Sequence, residues 1–84
     1  MEIRIGKVTH YYNHIGVAVL VLTGELKVGE TIHVLGRLTD FDQQVGSMEI
    51  EHLKVQLVGP GTEVALKVIE PVREGDNIFK LVED

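Results

Sequence analysis

The fold class this sequence predicts is all-β: a six-stranded, closed, Greek-key-type β-barrel. Three observations lead there. Apolar residues recur at alternate positions in short runs. Glycine-bearing turns separate those runs. No window keeps a 3.6-residue apolar period for more than one turn. Closure follows because it removes the exposed edges that a small open sheet presents.

The predicted elements run in order as follows. Residues 2 to 9 form a first strand, with Ile3 and Ile5 alternating with Glu2 and Arg4. Gly6 interrupts it and Val8 resumes in the other phase, the signature of a bulge. Residues 10 to 14 connect to a long apolar strand, Ile15 to Leu22, rich in β-branched residues and therefore buried. Gly24 and Gly29 supply the turn of a hairpin whose second strand, 30 to 36, sends Ile32 and Val34 to one face. Residues 37 to 44 are polar and read as a loop around Phe41. Residues 45 to 57 form a long strand or bent pair, with the break near His52, where the apolar parity changes between Ile50 and Leu53. After the Gly59–Pro60–Gly61 turn, residues 63 to 69 place Val64, Leu66 and Val68 inward. A Gly75–Asp76 turn precedes the last strand, 77 to 82.

The chain has 84 residues, which implies one domain, residues 1 to 84. The hydrophobic fraction of 44% argues against disorder. With no cysteine there is no disulfide framework, thiolate metal site or cysteine nucleophile. No stretch of about 18 apolar residues exists to span a membrane. The opening residues enter a strand pattern with no leader-like region, so a cytoplasmic location is expected. Net charge is −5, which speaks against duplex DNA as a partner, because phosphate neutralisation needs a basic surplus.

Five segments in order resemble the second domain of translational GTPases, the β-barrel of elongation factor Tu and initiation factor two. They are Gly6–Val8, the glycine-centred run Leu26–Gly36, Val45–Ile50, Pro60–Leu66 and Arg73–Phe79. Stand-alone elongation-factor-like copies of this barrel, and copies appended to collagenase-like peptidases, are also similar. The resemblance implies a module that touches tRNA ends or ribosomal RNA. Glu49 is the residue that carries over to the aminoacyl-end pocket. His52 falls where the family has a basic residue, and Glu51 where it has an aromatic one.

Each candidate site has a plainer alternative. Gly24 and Gly29 echo a phosphate loop, but Glu30 stands where the lysine must be, and strands flank it. His10 and His14 are spaced to share a metal, yet no third ligand is evident. Tyr11 and Tyr12 beside them offer stacking faces for unpaired bases, or simply ring packing in a solvated loop. Glu49 and Glu51 project two carboxylates from one strand face, for ligand contact or only for solvation. The strand Ile15–Leu22 is apolar on both faces, so Ala18, Leu20 and Leu22, or their opposites, either lie under a loop or form a docking patch. No nucleophile–base pair, metal cage or phosphate loop is present, so neither an enzyme nor a cofactor is expected. Two functions stay open: a non-catalytic translation-associated module contacting tRNA or ribosome through Glu49, His52, Tyr11 and Tyr12, or a protein-interaction module docking through the apolar strand. The second is peptidase-associated or self-associating.

Overall fold

The computed structural model describes residues 1–83. It is all-β. In chain order the strands are β1 (Glu2–Tyr12), β2 (Val17–Leu22), β3 (Leu26–Lys27), β4 (Thr31–Leu35), β5 (Asp40–Gln44), β6 (Met48–Ile50), β7 (Leu53–Val55), β8 (Leu57–Val58), β9 (Glu63–Lys67) and β10 (Asn77–Leu81). Eight of them build one antiparallel sheet in the order β5-β4-β10-β1-β2-β9-β6-β7, and β3 pairs with β8 in a separate two-stranded ladder.

One apolar cluster fills the inner side. Alternation in each strand delivers its members: Ala18, Leu20 and Leu22 from β2, Ile32 and Val34 from β4, and Val64 and Leu66 from β9. Val68 and Val72 add to it beyond β9. The inward face expected for 63 to 69 is the observed one.

The phase change at Gly6 is a bulge. The β1–β10 register shifts between Arg4 and Gly6, and the freed Ile5 carbonyl accepts the N–H groups of Thr23 and Gly24. Gly6 is required there, because a Cβ would collide with the Val21 carbonyl oxygen. A second shift lies between Val8 and His10, so β1 bends twice while pairing with β10 and β2.

Several expectations are corrected. The sheet does not close into a barrel, and it has more strands than six: β5 and β7 are its two edges. The gap beside β5 is crossed by a side chain instead of a ladder. Buried Gln43 donates from Nε2 to the Lys67 carbonyl at 2.9 Å and accepts the Ile69 N–H at 2.9 Å. The central hairpin does not form either. β2 pairs with β1 and β9, whereas β4 pairs with β10 and β5. The supposed turn is part of the core instead: Leu26 is fully buried, and β3 pairs with β8. The polar segment 37 to 44 is a loop only at its start. β5 alternates Phe41 and Gln43 inward with Asp40, Asp42 and Gln44 outward. The break near His52 is a two-residue hairpin turn between β6 and β7.

Candidate binding groove

The outer face of the sheet is apolar along β2. Cross-strand partners share a face, so the pairings define the surface. Val17 lies between Tyr12 and Lys67, and Val19 between His10 and Ala65. Glu49 on β6 continues the row beside Ala65, with Lys54 of β7 beyond it. Over this face runs a groove of about 1020 Å³. Its floor is Val17, Val19 and Ala65. Tyr12 and Ile15, respectively 49% and 61% exposed, wall one side, and Glu49 and Ile50 with the Glu51–His52 turn wall the other. The groove follows β9 from Glu63 to Lys67, a length of roughly 17 Å at strand rise.

Its two ends are shaped by local backbone chemistry. The rings of His10 and Tyr12 pack with centroids 4.9 Å apart, which fixes the tyrosine at the rim. At the β6–β7 turn, Glu51 and His52 both adopt positive φ, 51° and 67°. A two-residue hairpin of this hand requires that conformation at both central positions, and neither side chain suits it. The strain therefore sits in residues that line the groove. The carboxylates of Glu49, Glu51 and Glu63 form no ion pair or hydrogen bond with the described residues.

Of the residues expected at an RNA or ligand contact, Glu49, His52 and Tyr12 do converge on this groove. Tyr11 does not: it is half-buried and packs against the core. The docking strand is turned over. Ala18, Leu20 and Leu22 are 0–1% exposed and form core, while Val17, Val19 and Val21 are the half-buried outward set. The inner face won because Ala18 and Leu20 lie opposite Leu66 and Val64 of β9, inside one cluster. Glu49 and Glu51 do not share a strand face, since Glu51 is in the turn. Among the described residues no group of three His, Asp or Glu side chains is placed to hold a metal, and no helix is long and apolar enough to cross a membrane.

Two further features were not visible beforehand. His33 on β4 lies 2.9 Å by Nδ1 from Glu2 Oε1 and 2.6 Å by Nε2 from Asp40 Oδ1, tying β1, β4 and β5 together. The two hydrogen bonds, Glu2 first and Asp40 second, raise the imidazole pKa above its ordinary value against a smaller loss from burial. A second cleft of about 700 Å³ lies at the β4–β5 turn and is lined by Leu35, Leu38, Arg37, Arg73 and Asn77. Both features depend on strand register, which spacing along the chain does not reveal.

Known proteins place this geometry. Superposable structures include two crystal structures of the C-terminal domain of a putative U32 peptidase from Geobacillus thermoleovorans. The native one aligns with TM-score 0.87 at 20% identity, covering 93% of this chain and 91% of that one. The selenomethionine variant gives 0.86 at 19%, covering 90% and 96%. The fold matches a U32-peptidase C-terminal domain. At these identities the likeness concerns the fold. An uncharacterized protease from Methanocaldococcus jannaschii is 37% identical over 83 residues, 98% of this chain. The chain spans only 20% of that protein's length. No family model matches.

These relatives overturn the translation-factor resemblance. None of them is an elongation factor Tu domain two, and the sheet lacks that domain's closed barrel. The motifs behind the resemblance, Gly6–Val8 through Arg73–Phe79, report glycine-turned antiparallel strands. That chemistry recurs wherever short strands are tightly connected. Only the peptidase-appended copies among the similar domains agree with the proteins found.

Proposed function

We propose that the chain is a non-catalytic module that works beside a U32-type peptidase and docks to protein through the β2–β9–β6 groove. The observation that carries this reading is the alignment of nearly the whole chain with one fifth of an archaeal protease, the rest of which lies outside it. The groove supports it, because an outward apolar floor of Val17, Val19 and Ala65 gains from being covered. Contact with tRNA or ribosome has weaker support. The net charge is −5, and Glu49, Glu51 and Glu63 around the groove would repel a phosphate backbone.

Co-expression with the U32-type peptidase of the same source, followed by size-exclusion chromatography, tests the reading. A joint peak is expected, lost on Val19→Lys and weakened by Tyr12→Ser, which is far enough from the core to leave the fold intact. Separate elution of the two wild-type proteins at micromolar concentration would refute it.

A further inference from the structure

We infer that the groove receives an extended peptide segment of a partner protein, carrying a lysine or arginine next to an apolar side chain. This rests on the docking function proposed above and names the chemistry of its partner.

The shape sets the first requirement. The lining takes in all five residues of β9, from Glu63 to Lys67. A strand-like segment of about five residues matches that run in length. The floor sets the second. Val17, Val19 and Ala65 offer no hydrogen-bond partner through their side chains, so the occupant must bring apolar groups to that level. Charge sets the third. Among the lining residues three carboxylates, Glu49, Glu51 and Glu63, stand around the floor against the ammonium of Lys67, while Lys54 lies across from Glu49 on β7, outside the lining. None of the three is ion-paired within the described residues, so each remains available to a cation. Tyr12, held by His10 at the rim, adds a ring face on which an alkyl-ammonium or guanidinium group packs favourably. An acidic or phosphate-bearing ligand meets the opposite field. The second cleft, where Arg37 and Arg73 stand beside the carboxylates of Glu74 and Asp76, lacks that acidic excess and serves as an internal control.

The experiment is titration of the isotope-labelled chain, followed by amide chemical shifts, with three probes: an acetylated peptide of alternating valine and arginine, the same peptide with glutamate for arginine, and single-stranded oligo-uridine. The valine–arginine peptide is expected to move the amides of Tyr12, Val19, Glu49 and Glu63. Its affinity should fall on the order of tenfold in the Glu49→Gln/Glu63→Gln variant, and again as salt is raised. The same spectra report whether that variant is folded. Equal binding of the glutamate peptide, preference for oligo-uridine, or shifts confined to the Arg37–Arg73 cleft would overturn the inference. The two proposals fail separately. A peptidase complex that survives Glu49→Gln/Glu63→Gln unchanged and ignores salt removes this one and leaves docking standing. A valine–arginine peptide that binds while no peptidase complex forms does the reverse.

Discussion

Replacing Glu51–His52 by Asn–Gly should make the protein more stable and its groove worse. Both residues hold positive φ, 51° and 67°, in the β6–β7 turn. A left-handed backbone costs roughly 1–2 kcal/mol for an ordinary L-residue, so the pair stores about 2–4 kcal/mol. Asparagine tolerates the conformation and glycine adopts it freely, which recovers most of that. Against it, glycine adds about 0.5–1 kcal/mol of unfolded-state entropy. The net gain is about 1–2 kcal/mol. For a domain of this size each kcal/mol moves the melting temperature by roughly 4–8 °C, so a rise of about 5–15 °C is expected. Thermal melts followed by circular dichroism at fixed protein concentration measure it. The same variant neutralises the Glu51 carboxylate and removes the His52 ring from the groove lining, so binding of the valine–arginine peptide should weaken while the fold tightens. A melting temperature unchanged or lowered would refute the assignment of strain to this turn. Unchanged peptide binding would remove the turn from the site.

Three other perturbations test the frame. Gly6→Ala sets a methyl group against the Val21 carbonyl and should cost about 1–3 kcal/mol, read from urea denaturation; a neutral result contradicts the close approach at the bulge. Gln43→Leu keeps the volume but removes both hydrogen bonds to the segment after β9, for a loss of about 1–3 kcal/mol, whereas Gln44→Leu, which loses one exposed bond to Gly29, should cost less than about 1 kcal/mol. His33 binds its proton more tightly when folded, so its contribution is fully present below the unfolded histidine value of about 6.5 and is lost as pH rises through the raised folded value. Melting temperature should therefore decline across that window in the wild type and stay flatter in His33→Gln; parallel curves would dismiss the Glu2–His33–Asp40 clip.

What could be read before folding divides along a physical line. Parity is local, and it was legible: Ile32 and Val34 on one face, Val64, Leu66 and Val68 inward, the glycine bulge at Gly6, the break near His52. Pairing is not local. Two adjacent runs joined by glycines suggest a hairpin, yet the segment between them buries Leu26 and pairs as β3 with β8, and β2 and β4 have different neighbours. β5 was missed because its inward residues include an amide, and only the distant backbone of Lys67 and Ile69 makes burial of Gln43 affordable. The site followed the same division. Tyr12 was marked by its aromatic ring, and Glu49 and His52 by a resemblance that the fold does not uphold, but which face of β2 stays outward depends on what β9 brings against it. That dependence changes the decisive experiment. A lysine at Leu20, suggested by a strand apolar on both sides, would bury a charge beneath Val64 and unfold the sheet, whatever the partner. A lysine at Val19, one residue away on the opposite face, places the same charge over the groove floor. Loss of the partner at Val19 with the fold retained locates docking on the outer face; retention there, with loss only when Leu20 is altered, would mean that binding reads the integrity of the domain and not this surface.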